Sequence, residues 1–363
     1  MTEQDKFHPA TRLLVIAAAI VFLIWGISQA QAVLVSFLVS VFLAILATPP
    51  VFWLERKRVP VVVAVMIVVA GMVFFLAAIG AVVGTSINSF YAALPQYQTR
   101  IQEQVAAFTV FLASHRIAPP GKLLADYVNP GAIMNLTAGL FRRLGSAFSN
   151  IVLIMLTVTF ILLEAASFPV KLRAVLGDPK QVFPQFTKFA DDMKRYMVIK
   201  TLISLATGIL VAIWLTILRV DFPSLWGFLA FLLNYVPSIG STIAAVPAVL
   251  LTFVELGFWR AGVAACGYVV INMGLEYGVE KRLMSRKLGL STLVIFLSLI
   301  FWGSLLGPIG AVVCVPLTMT LKFAFESSES TQWIAVLLGP EQVAEKISPT
   351  PKKRIRLHKA KVA

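Results

Sequence analysis

Charge is what this chain most lacks. Asp, Glu, Lys and Arg make up 13% of its 363 residues, where a soluble domain carries about a quarter. That scarcity excludes an ordinary soluble fold, and a 59% hydrophobic content excludes disorder, which needs low hydrophobicity. Cysteine and histidine are nearly absent too. Cys266 and Cys314 both fall in apolar runs, so a disulfide framework is not expected and buried thiols are. His8, His115 and His358 have no acidic or cysteine neighbours at ligand spacing, so no metal site is expected. HExxH, GxxxxGK[ST] and GxSxG are all missing, and with them the usual signs of hydrolytic or nucleotide chemistry. Neither enzymatic activity nor a cofactor is expected. The first apolar run leads almost directly into a second, which does not look like a cleavable signal peptide.

What the chain has is apolar length. Mean hydropathy is +0.87, and helix-length apolar runs fall at 13–28, 32–54, 60–84, 146–164, 198–218, 223–256, 260–277 and 289–325. A membrane barrel would show short alternating segments instead. The expected fold is all-α: a polytopic helical membrane protein with about eight membrane segments. Basic residues set its orientation. With the N-terminus inside, segments 1–12, 55–58, 165–200, 276–289 and 322–363 hold 24 of the 31 Lys and Arg. Both termini are therefore expected in the cytoplasm, and the basic tail from Lys352 to Lys361 is expected to face anionic lipid rather than nucleic acid.

This pattern divides the chain into a three-span bundle (1–84), an extracytoplasmic amphipathic part (85–145), two spans with a cytoplasmic helical segment at 165–197 (146–218), a core (219–325) and a tail (326–363). In the extracytoplasmic part, Leu94, Tyr97, Ile101, Val105, Phe108 and Leu112 recur every three or four residues, an apolar stripe on one helix face. The stripe suits either the membrane surface or the protein's own spans, or else the contact between protomers of a homo-oligomer. Pro119, Pro120 and Gly121 end it, and a second amphipathic stretch leads to Arg142 and Arg143. On the cytoplasmic side Phe183, Phe186, Phe189 (or Ala190), Met193 and Met197 suggest another packing helix.

The core is where the apolar runs break. Asn234-Tyr235-Val236-Pro237-Ser238-Ile239-Gly240-Ser241 interrupts one, and Gly307-Pro308-Ile309-Gly310 interrupts another. Trp-Gly precedes each break and Val-Pro follows it. By the charge count the first unit enters from outside and the second from inside, the arrangement expected of an inverted-repeat transporter with re-entrant hairpins. Broken backbone at membrane depth survives only where it lines a cavity or is buried in protein. Its free amides and carbonyls could then meet a polar solute. Between the hairpins Asn272, Glu276 and Glu280 recur at i, i+4 and i+8, so one helix face carries an amide and two carboxylates. An acid in the membrane is a functional candidate by default. The substrate pathway is therefore assigned to Asn234, Pro237, Ser238, Gly240, Ser241, Asn272, Glu276, Glu280, Gly307, Pro308 and Gly310. Glu164 and Glu255 close apolar runs and are expected at the interface. The GxxxG pairs Gly80/Gly84, Gly274/Gly278 and Gly303/Gly307 would allow close helix approach.

Two long stretches carry a family resemblance. Asp221-Phe-Pro-Ser-Leu-Trp-Gly-Phe-Leu-Ala-Phe-Leu-Leu-Asn-Tyr-Val-Pro-Ser-Ile-Gly240 resembles the autoinducer-2 exporter family of bacterial membrane proteins. So does Leu288-Gly-Leu-Ser-Thr-Leu-Val-Ile-Phe-Leu-Ser-Leu-Ile-Phe-Trp-Gly303, continuing through Gly307-Pro-Ile-Gly310 to Val315-Pro-Leu-Thr318. The resemblance covers 13–330. It implies an inner-membrane transporter with re-entrant hairpins and ring-like homo-oligomers, a pentamer among the candidates. Its partners would be the lipid bilayer and either a small polar solute, such as the quorum-sensing signal autoinducer-2, or a monovalent cation exchanged for a proton. The intervening helix departs from the family pattern: relatives read Gly-Asn at Glu276-Tyr277, Glu-Pro at Glu280-Lys281 and Gly-Arg at Ser285-Arg286. Three readings remain open on the sequence: solute exporter, cation/proton antiporter and non-transporting oligomeric scaffold. Pro-Gly breaks at membrane depth favour transport over scaffold.

Overall fold

A computed structural model describes residues 9–114, 139, 150–176, 184–237, 239–284, 289–327 and 330–339, and every regular element among them is helical. In chain order these are α1 (Pro9–Gln29), α2 (Gln31–Arg56), α3 (Val61–Ser114), α4 (Ile151–Leu176), α5 (Pro184–Ile217), α6 (Pro223–Leu233), α7 (Gly240–Leu256), α8 (Phe258–Asn272), α9 (Thr292–Glu326) and α10 (Gln332–Leu337). The helix of α8 widens into a π-helix at Met273–Glu280, followed by a last turn at Lys281–Met284. Five stretches are long and apolar enough to cross a bilayer: Gln31–Arg56, Val61–Ala93, Phe186–Ile217, Phe258–Glu280 and Thr292–Glu326. Large apolar side chains such as Phe22, Phe74, Phe160, Phe258 and Trp259 point outward, the arrangement lipid requires and water would penalise.

Two elements are longer than the apolar runs suggested. α3 does not stop near residue 84. It continues through Ser114 with Pro95 inside, so the span and the amphipathic stripe form one rod of roughly 80 Å. The apolar length Val61–Ala93 covers a hydrocarbon core of about 30 Å with length to spare, and the rest projects beyond it. α5 likewise joins the expected packing segment to the following span. Its lower part packs as expected: Phe189 stacks on Phe323 with ring centroids 4.5 Å apart, and Met193 and Met197 are buried.

α5 is the axis on which the two broken segments are arranged. The first, α6–α7, folds back on itself. Its ends meet where the Asp221 backbone N–H donates to Glu255 Oε2 at 3.1 Å, 34 residues apart in sequence. They lie at the C-terminal end of α5, where Val220, Leu215 and Leu225 share one buried cluster with Val254. The second segment is α9. As a straight rod it would separate residues 302 and 318 by about 24 Å, yet the Trp302 indole N–H donates to Thr318 Oγ1 at 3.2 Å. The reversal sits at Gly307 (φ 69°, ψ −154°), a conformation essentially reserved for glycine. The ends of this hairpin are tied where Lys322 Nζ donates to the Gly289 carbonyl at 2.8 Å. They lie against the N-terminal part of α5, where Leu290 packs with Met193 and Met197. The chain therefore places two helical hairpins along α5 from opposite ends.

Glycine governs the closest approaches, but not through the GxxxG pairs. A Cβ at Gly80, Gly84, Gly274 or Gly278 would meet nothing within 4 Å, and one at Gly303 only Ala311 Cβ at 3.8 Å. Gly80, Gly84, Gly274 and Gly278 therefore do not bring described helices into close contact. The contact that does is Gly208 of α5 against Gly227 of α6, where a Cβ on either would lie 2.7 or 2.6 Å from the other's carbonyl oxygen. Rigid backbone cannot yield there, so Gly227→Val should cost about 1–3 kcal/mol by overpacking and lower the melting temperature in detergent. Gly80→Val, in open space, should leave it unchanged. Gly240 and Gly310 are pinned similarly: a Cβ would strike the Leu233 carbonyl in the first case and the Trp302 carbonyl in the second. The thiols divide, Cys314 being buried and Cys266 exposed. The expectation of a buried Cys266 is therefore corrected, because its side chain sits on the outward face of α8.

Candidate functional site

The hairpins converge on one face of α5. Tyr196, Lys200, Ser204 and Thr207 follow each other at intervals of three or four, so they line a single stripe, and all four are buried. The Lys200 side chain is only 7% exposed and its ammonium holds the Glu280 carboxylate at 2.8 and 3.0 Å. A lone ammonium at this depth would be costly, and a close two-oxygen contact with a carboxylate compensates it. One turn further, the break between α6 and α7 is tied to α5. Asn234 Nδ2 donates to Ser204 Oγ at 3.0 Å. The Tyr235 hydroxyl donates to Thr201 Oγ1 at 2.8 Å, while its ring meets Phe42 of α2 at 5.5 Å. The second hairpin closes the cluster: Val236 packs with Leu299, Cys314 and Val315.

The expected pathway residues are placed unequally. Asn234, Gly240 and Ser241 are buried at the first break with Pro237 half-buried beside them, while Ser238 lies outside the described residues. Gly307 and Pro308 form the second tip, where the Gln31 amide lies 3.4 Å from the point a Cβ on Gly307 would occupy; Gly310 is buried just beyond. Asn272 and Glu276 are half-buried, with Glu276 and Glu280 both in the π-helix. Insertions of this kind occur disproportionately at functional sites. Of the two acids, Glu280 reaches Lys200. Among the described residues no ion pair within 4 Å involves Glu276.

Sequence reading missed Lys200, Thr201 and Ser204. Lys200 was counted among the basic residues of the cytoplasmic segment, although its spacing from Tyr196 and Ser204 already put it on their face. One position of the amphipathic stripe turns into its own chain. Tyr97 is 2% exposed, buried within its own chain, because α3 leans over the first hairpin and Phe90 packs edge-on against Trp226 at 5.7 Å. The side chains of Leu94, Ile101, Val105, Phe108 and Leu112 lie outside the described residues, as do the stretch to Arg142 and Arg143, Phe183 and the basic tail.

A second polar group closes the base of the first hairpin. The Tyr97 hydroxyl donates to Asp221 Oδ2 at 2.8 Å, and Asp221 in turn binds Glu255 through its backbone. Tyr97 lies beyond the span ending at Ala93, Asp221 in the turn before α6, and Glu255 in the last turn of α7, where its apolar run ends. Burial pushes the Glu255 carboxyl up to about 7, an effect that hydrogen bonds from the Asp221 backbone and Tyr97 only partly offset. Burial, then the two carboxylates, push the Tyr97 phenol well above its usual value. Glu164, by contrast, forms an exposed pair with Lys171 at 2.9 Å, as expected at an interface.

Outward-facing apolar helices around a buried polar stripe define a polytopic helical membrane protein. A family model described as "AI-2E family transporter" matches residues 13–330. The chain is 38% identical to the AI-2 transport protein TqsA of Escherichia coli K12, over 90% of this chain and 95% of that protein. It is 33% identical to YhhT of the same organism over 89% and 93%, and 34% identical to a Haemophilus influenzae relative over 90% and 96%. The chain belongs to the AI-2E family of transporters, and it is a multi-pass inner-membrane transporter.

Proposed function

We propose that this protein exports a small polar solute such as autoinducer-2, and that the solute passes the polar stripe of α5. The reading rests on one observation: two helical hairpins lie along α5 from opposite ends and meet beside the Lys200–Glu280 pair. In the bilayer the first hairpin enters from the extracytoplasmic face and the second from the cytoplasmic face, as re-entrant elements of about eight membrane segments with both termini inside. The basic-residue bias supports that orientation, and the two tips supply the irregular backbone that inverted-repeat transporters place at their sites. The relative TqsA, an AI-2 transport protein, supports the solute. The projecting part of α3, with Leu94, Ile101, Val105, Phe108 and Leu112, is assigned to a ring-like homo-oligomer.

Cation/proton antiport is the second reading, and one observation favours it: Glu276 is half-buried in the π-helix with no ion pair to another described residue. Glu280 is already committed to Lys200, so an antiporter would have to use Glu276. Counterflow in proteoliposomes separates the two. Labelled autoinducer-2 should exchange at a rate indifferent to sodium, and Glu276→Gln should leave that rate within about twofold of wild type. Sodium-driven proton movement that Glu276→Gln abolishes, without autoinducer-2 counterflow, would replace the exporter reading with the antiporter.

A further inference from the structure

At the other end of α2 from the hairpin tip lies a site that the transport mechanism does not use. An open cavity of about 590 Å³ is lined by Pro49, Phe52, Trp53, Glu55 and Arg56 of α2 and by Lys194 of α5. Its charges are mixed. Arg56 and Lys194 supply cations, with Lys194 Nζ lying 5.5 Å from the Phe52 ring centroid. Lys57 lies over the Trp53 ring at 3.9 Å. Against them stands Glu55, whose Oε1 is buried and meets no donor among the described residues. A buried carboxylate oxygen is best satisfied by a donor, so Glu55 favours a ligand that carries one.

A ligand that fills this cavity must satisfy both signs. A simple anion would suit Arg56 and Lys194 but would meet the Glu55 carboxylate. A simple cation would suit Glu55 and be repelled by the other two. A zwitterion carrying a phosphate and an ammonium a few ångströms apart answers both, with phosphate on the guanidinium and ammonium and its own ammonium donating to Glu55 Oε1. The position indicates where such a group comes from. The apolar length of α2 ends here, in exposed Phe52 and Trp53. Aromatic rings beside basic residues mark the headgroup level of a bilayer, and basic pockets between membrane helices hold lipid headgroups. Residues 55–58 and Lys194 also belong to segments that the charge count assigns to one side.

We propose that this cavity binds the phosphoethanolamine headgroup of a phosphatidylethanolamine molecule from the adjoining leaflet. Native mass spectrometry of the full chain, after reconstitution in equal phosphatidylethanolamine and phosphatidylglycerol, tests this. Wild type should retain phosphatidylethanolamine at least fivefold over phosphatidylglycerol. Glu55→Gln keeps the shape but removes the ammonium's partner, so retention should shift toward phosphatidylglycerol. Lys194→Gln should lower retention of both. Melting temperatures in pure phosphatidylglycerol vesicles should match wild type for both variants, showing that they fold. Equal retention of the two lipids by wild type, or an unchanged preference in Glu55→Gln, overturns the proposal. Soluble phosphoethanolamine should displace the lipid only weakly, because it lacks the acyl chains lying along α2. Displacement at stoichiometric concentration overturns the lipid as the source.

Discussion

Replacing Lys200 by Met should destabilise the protein by about 3–5 kcal/mol, the usual cost of breaking a buried ion pair by removing one partner. The side chains of Lys200 and Glu280 are 7% and 16% exposed, so the orphaned carboxylate could not simply turn to water. Methionine fills most of the space the lysine stem occupied, which isolates the charge effect from a cavity. The double variant Lys200→Met/Glu280→Leu should recover most of the loss, since an apolar pair in the same volume is often neutral or better. Melting of the detergent-solubilised protein measures both steps, and the difference between single and double variants is the coupling energy. Counterflow then separates support from transport. If the pair meets the solute, the double variant is stable but fails to exchange. A stable double variant that transports normally would reduce Lys200–Glu280 to a structural tie.

That experiment turns on a residue the sequence did not single out, and the reason is physical. Hydropathy and basic-residue counts average over segments, and Lys200 sits at the join between the packing segment and the span that together make α5. Averages place such a lysine at the boundary. Only its pairing with Glu280, 80 residues away, explains why it can lie inside. The two backbone breaks were legible for the opposite reason. Proline and glycine clusters inside apolar runs act locally, through a missing N–H or a left-handed backbone, so Gly307 and the Asn234–Gly240 stretch announce their own breaks. The length of α3 was not legible, because an apolar span followed by an amphipathic stripe can be one helix or two. Pro95 would have been the natural place to divide it, yet the helix runs through. The close crossing of Gly208 on Gly227 escaped as well, since those glycines lie on different helices and form no spacing motif within either.

The group at the base of the first hairpin should make stability depend on pH around neutrality. With its carboxyl held up to about 7, Glu255 keeps its proton in the folded protein where the unfolded chain, with an ordinary carboxyl near 4.3, has released it. Between those values the folded state binds more protons, so its stability falls as pH rises. The contribution is fully present below the ordinary carboxylate range and is lost as pH passes through about 7. The surroundings agree with that sign. Asp221 brings a second carboxyl against Glu255. Arg219 and Arg260 are exposed at this end and form no ion pair within 4 Å with a described residue. Tyr97, its phenol pushed up by burial, stays a donor throughout. Wild type should therefore melt at a lower temperature at about pH 8 than at about pH 5, and Glu255→Gln, which cannot ionise, should flatten the difference. Asp221 N–H can still donate to the amide oxygen of the variant, so the hairpin base stays tied and only the titration is removed. An equally steep fall in Glu255→Gln would assign the dependence to another group. A flat profile in Glu255→Gln assigns the dependence to the proton on Glu255.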